Sequence, residues 1–184
     1  RLASRQEPEP AVTASAQVVG PSLVLGGFAE RTGLGGALKA CFPDTHRQML
    51  AMAFYLAARG GALSHCAAWA KSHEPALAIS LSSQRISEIL ASIGTDGKQT
   101  FMARWLAQAA ADDYICYDIT SVTSYSELNE YIKYGYNRDG EKLPQLNLAM
   151  LFGQKSSLPL YYHRIPGNVN DVSTLHNLML TLKA

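Results

Sequence analysis

At 184 residues, 47% hydrophobic and 17% charged, the chain has the composition of a folded globular protein, which excludes a disordered or fibrous one. The length suits one sizeable core, or a small helical module plus part of a second domain. No uncharged apolar window reaches the roughly eighteen residues of a membrane span, and a net charge of +1 excludes a uniformly basic surface. Any basic surface is therefore local, or lies in sequence beyond this chain.

Residues 1–20 lack the basic, apolar and small-residue order of a signal peptide. Pro8, Pro10 and scattered Ala, Ser and Gln make them a flexible lead-in, and Arg1 in place of Met points to a missing or processed start. The three cysteines, Cys41, Cys66 and Cys116, are an odd number without CxxC spacing. They argue against a disulfide framework or zinc site and fit a reducing cytoplasm.

Residues 21–113 are rich in Ala, Leu and Ser and read as a helical module. Gly33-Leu34-Gly35-Gly36 has no preceding strand and no third glycine at the dinucleotide-binding spacing, so it reads as a loop. Pro43-Asp44-Thr45 starts a helix with Met49, Met52, Ala53 and Leu56 on one face, and Gly60-Gly61 stops it. A second helix runs from about Leu63 to Lys71. Ser82 or Ser83 caps a third, striped by Ile86, Ile89, Leu90 and Ile93 and broken by Gly94 and Gly97. A fourth places Phe101, Trp105, Leu106 and Ala109 inward, and Trp69 and Trp105 read as core residues of this module. The five histidines show no HxxxH or HExxH spacing, so none reads as a metal ligand. Ser64-His65-Cys66 is no nucleophile arrangement either, because adjacent helical residues do not face one another.

From Tyr114 the pattern changes to β-branched and aromatic residues, predicting a strand of about eight residues. A tyrosine-rich polar loop follows from Tyr125 to Pro144. Gln145–Phe152 and Leu158–Ile165 predict two further strands, joined by the Gly153–Ser157 turn into an antiparallel hairpin. Asn170 or Asp171 caps a last helix with Val172, Leu175, Leu178, Met179 and Leu182 buried. Three strands and one helix cannot cover both faces of a sheet. Residues 114–184 therefore read as an unfinished α/β domain with strand edges open to pairing, and the fold class as α+β.

Asp118 stands within the first of these strands. Alternation puts Cys116, Asp118 and Thr120 on one face and Tyr117 and Ile119 on the other. A buried carboxylate there needs a hydrogen-bond partner, a counter-charge or a metal. An exposed one needs nothing, and the residue alone leaves both readings open. In the loop beyond it, Tyr136, Arg138 and Lys142 can contact phosphate or stack on bases. Equally, the tyrosines can pack beneath the loop while Arg138 pairs with Asp139 or Glu141. Asn168 can orient the loop near Asp118, or serve only the Gly167-Asn168 turn.

The ordered set Tyr117-Asp118-Ile119-Thr120-Ser121, Tyr134-Gly135-Tyr136-Asn137-Arg138-Asp139, Leu158-Pro159-Leu160 and Pro166-Gly167-Asn168, followed by Asp171 and Thr174, resembles a known pattern. Together with Ser82-Ser83-Gln84-Arg85-Ile86-Ser87 and Trp105 upstream, it is similar to the first catalytic block of bacterial insertion-sequence transposases of the DDE kind. The insertion-sequence-four-like group is the nearest. The resemblance covers about residues 80–184. It implies the first part of an RNase H-like domain, three antiparallel strands and then a helix, cut short.

It also implies that Asp118 is the first metal-binding catalytic carboxylate. The second Asp and the Glu of the triad would lie beyond Ala184. The complete enzyme would hold two Mg²⁺ (or Mn²⁺) ions and act on transposon-end and target DNA, cleaving strands and transferring them, as a cytoplasmic homodimer. Hard divalent ions take oxygen ligands, and two of them can serve both ends of an in-line phosphoryl displacement. With one carboxylate of three, this chain alone is expected to be inactive. The alternative is a non-catalytic remnant that only dimerises or binds DNA.

Overall fold

A computed structural model describes residues 14, 16–74, 77–110, 113–135 and 143–169. Within them the fold is mixed α+β, with six α-helices and a four-stranded antiparallel sheet. Two compact units meet between Gly94 and Thr95. The expected helix after Asn170 and most of the lead-in lie outside the described residues.

The first unit is helical: α1 (Gly20–Arg31), α2 (Leu34–Cys41), α3 (His46–Ala58), α4 (Cys66–His73) and α5 (Ser83–Ser92). The loop expected at Gly33–Gly36 is corrected, because all but its first residue is helical. Gly33 takes a left-handed φ of 71° at the start of α2, a conformation glycine adopts without a Cβ penalty. Ala37 and Leu38 are buried, and this packing outweighs the low helix propensity of Gly35 and Gly36.

α3 begins and ends close to expectation, but its buried face is turned. Ala51, Met52 and Tyr55 are buried and Met49 partly so, whereas Ala53 and Leu56 are exposed. The Tyr55 hydroxyl donates to the Ala62 carbonyl at 3.0 Å, which draws the Gly60–Ala62 loop over the ring. A one-turn 3₁₀ segment, Leu63–His65, leads into α4. Ser82 caps α5, its hydroxyl accepting the Arg85 N–H at 3.2 Å. The core gathers Met52, Tyr55, Cys66, Ala70, Leu77, Leu81, Ile86 and Ile89.

The second unit opens with α6 (Thr95–Ala109). Gly97 lies inside its first turn, where it does not act as the breaker expected between helices. Leu106 and Ala109 pack against the buried pair Leu151 and Leu160, and the Trp105 indole N–H donates to the Pro159 carbonyl at 2.7 Å. Trp105 is therefore a core residue of the sheet unit, and the division falls earlier in the chain than the change of residue pattern at Tyr114.

The strands are β1 (Ile115–Thr123), β2 (Lys133–Tyr134), β3 (Pro144–Gly153) and β4 (Pro159–Pro166). β1 pairs with β3 along its whole length, and β4 pairs with β3 from the other side as the expected hairpin. The two-residue β2, within the stretch expected to be loop, continues the β4 side at Pro144 and Gln145.

Polar joints hold this sheet together. Asp113 accepts the Lys155 and Ser156 N–H groups at 2.8 and 2.9 Å, clamping the hairpin turn to the start of β1. At the other end of β3, Asn147 accepts the Ser121 hydroxyl at 2.9 Å and donates to the Val169 carbonyl at 3.3 Å. Only glycine fits at position 167, because a Cβ there would run into the backbone carbonyls of Gln145 and Lys133.

Candidate functional site

Asp118 lies mid-strand in β1, opposite Met150 of β3, which in turn faces Tyr162 of β4. Alternation then places Cys116, Asp118, Thr120, Leu148, Met150, Tyr162 and Arg164 on one face. Tyr117, Leu151 and Tyr161 share the opposite face, which packs against α6. Of the two readings left open for this carboxylate the exposed one holds: Asp118 is exposed while Tyr117 and Ile119 are half-buried. Its Oδ1 accepts the Ile119 N–H at 3.0 Å. An exposed carboxylate keeps its hydration, so nothing in the fold requires it to be paired.

By register Arg164 brings positive charge to the Asp118 face, while Lys98 reaches the β4 edge from α6. The Arg164 guanidinium sits 4.8 Å from the centroid of the Tyr131 ring, and the Lys98 ammonium 4.3 Å from that of Tyr162. Among the described residues neither cation makes an ion pair. Across β3, two strand spacings put Arg164 and Tyr162 roughly 10 Å from β1. The Lys98 and Arg164 charges also act on His163, whose imidazole is held below its ordinary value first by burial and then by these two cations. The sequence offered no specific signal for Lys98, Tyr131, Tyr162 or Arg164. The strand register and the pairing of Lys133 and Tyr134 with β3 place Tyr131 beside Arg164.

Asn168 stands apart from Asp118. It follows Pro166, which pairs with Leu146, whereas Asp118 pairs with Met150. That offset is roughly 13 Å along β3 at about 3.3 Å per residue. Asn168 is exposed in a turn closed by the Val169 N–H to the Pro166 carbonyl at 3.0 Å, which fits the turn reading. Tyr136, Arg138 and Lys142 lie outside the described residues.

Among the described residues no three of His, Cys, Asp and Glu come together as a metal site. Asp118 supplies a single oxygen-ligand side chain, flanked on its face by Cys116 and Thr120. The described side chains therefore do not fit a two-ion centre by themselves. No helix among the described residues is long and apolar enough to cross a membrane.

Comparison with known protein families, with curated proteins and with solved structures finds no match to this chain.

Proposed function

We propose that this chain is part of a DDE-type transposase, with Asp118 as the first of three catalytic carboxylates and DNA as the substrate. The observation that carries the reading is the placement of Asp118. It is an exposed carboxylate in the middle of a long strand, on the sheet face to which the strand register assigns Arg164. Phosphoryl-transfer sites of this kind need a carboxylate accessible to ions and substrate, with cations nearby to position a phosphodiester. Among the described residues β1 pairs with β3 alone, and in this reading its other edge receives a strand bearing a further carboxylate.

In this reading Arg164 and Lys98 contact backbone phosphate. Held against tyrosine rings, they lose less side-chain freedom on binding than free surface cations would. The remaining carboxylates are expected from sequence beyond Ala184, and the metal ions are expected to bind only when those are present.

The first test is to read the coding DNA past Ala184. An in-frame Asp after an apolar strand, followed by a Glu on a basic helix, is the expected result. An immediate stop codon would leave the remnant reading, in which the chain binds DNA or a second copy without cutting. The second test assays the isolated chain with Mg²⁺ and DNA bearing element ends. No cleavage is expected; cleavage abolished by Asp118→Ala would place the rest of the site inside this chain.

A further inference from the structure

The helical unit contains a cleft of about 550 Å³ that plays no part in the reading of Asp118. It lies between the end of α3, the glycine loop that follows, and α4. Tyr55, Arg59, Gly61, His65, Trp69 and His73 line it. The wall is aromatic and ordered. His73 stacks on Trp69 with ring centroids 4.2 Å apart and planes 14° from parallel, and Tyr55 meets Trp69 edge-on at 5.8 Å. The His73 ring is held in place, its Nδ1 lying 2.9 Å from the Trp69 carbonyl, so that nitrogen carries the proton and donates.

The rim is basic. Arg59 and His65 are exposed and have no hydrogen-bond or ion-pair partner for their side chains among the described residues. Among the described residues no Asp or Glu lines the cleft. The loop of Gly60 and Gly61 runs at φ 68° and 95°, so both backbone turns are ones that glycine adopts readily. Without side chains at these positions, the mouth beside Arg59 stays open.

A flat aromatic pair beside the Arg59 guanidinium and the His65 imidazole matches a ligand that joins a planar ring to an anion. We infer that this cleft binds a nucleotide unit, its base against the Trp69–His73 pair and its phosphate at Arg59 and His65. Stacking tolerates any base, since each has a π face, while the guanidinium recognises phosphate oxygens through paired N–H donors. The unit is either a free nucleotide or one residue of a single strand; the chemistry of the two is the same.

Calorimetric titration of the full chain with dAMP, a short single-stranded oligonucleotide, the matching duplex and inorganic phosphate separates these sources. Binding of dAMP, of the single strand or of both is expected, accompanied by quenching of tryptophan fluorescence, with phosphate alone leaving that fluorescence unchanged. A response to dAMP identifies the free nucleotide, and a response to the single strand alone identifies the strand. Arg59→Ala and His65→Ala change exposed side chains outside the core, and each should weaken binding about tenfold. Trp69→Phe keeps a ring in the stack and should remove most of the fluorescence change. Asp118→Ala should bind as the parent does, so the cleft and the Asp118 reading can fail independently. Lack of binding to dAMP and to the single strand would overturn the inference. So would equal affinity in the parent, Arg59→Ala and His65→Ala proteins, or binding to duplex alone.

Discussion

In the helical unit, apolar side chains from four segments interlock around Leu81 and Ile89, and few polar contacts reach across. Among the described residues of the sheet unit the buried apolar cluster centres on Leu151 and Leu160, and polar joints link the strands. Asp113 ties the hairpin turn, Trp105 ties α6 to β4, and Asn147 ties β1 to the turn after β4. A polar joint fixes direction and level, which keeps Asp118 and Arg164 on one face of the sheet.

The largest expected effect breaks the first kind of stabilisation. Leu81 is fully buried, and Leu81→Ala should cost about 2–5 kcal/mol through lost transfer energy and a cavity. Urea unfolding followed by far-ultraviolet circular dichroism should show an earlier loss of helix, while Asp118 keeps its place in the sheet. A loss below about 0.5 kcal/mol would mean the core is not tightly packed.

Trp105→Phe probes the second kind. It keeps most of the ring but removes the donor to Pro159, at a cost of about 1–3 kcal/mol. Amide exchange should quicken first in β4 and α6. Equal protection in the two proteins would show that the joint is not holding β4.

Asp113→Asn should act more mildly and give the comparison a pH signature. The Lys155 and Ser156 N–H groups hold the Asp113 carboxyl at about 2, below its ordinary 3.8. A group whose value is lowered by folding stabilises the fold above its unfolded value, and that stabilisation is lost as pH falls through the folded value. The parent protein should therefore lose hairpin stability between about pH 3.8 and pH 2. Asp113→Asn should be weaker at neutral pH and flatter across that window. Parallel pH profiles for the two would contradict the clamp.

Smallest of all should be Asp118→Asn. The side chain is exposed and makes one local hydrogen bond, so stability should change by less than about 0.5 kcal/mol. A change of several kcal/mol would make Asp118 a structural residue.

The same contrast explains what could be read from the sequence. β-Branched, aromatic and apolar runs placed β1, β3, β4 and their hairpin within a residue or two, because these signals are local. Alternation put Asp118 on the face with Cys116 and Thr120. What could not be read depended on distant partners. Gly35 and Gly36 argue for a loop until the burial of Ala37 and Leu38 is known. Lys133-Tyr134 is too short to carry a pattern, and α6 looks like the helices before it until Trp105 meets Pro159. The sequence left Asp118 open between a buried and an exposed carboxylate, since burial of a strand face is decided by what packs on it.

The most direct measurement of the central claim uses protein made from the uninterrupted reading frame. Mg²⁺-dependent cleavage of DNA carrying the element ends would be compared for the parent and Asp118→Ala, at matched thermal stability. The account predicts cleavage by the parent and only background by the variant. Undiminished cleavage by Asp118→Ala would contradict it.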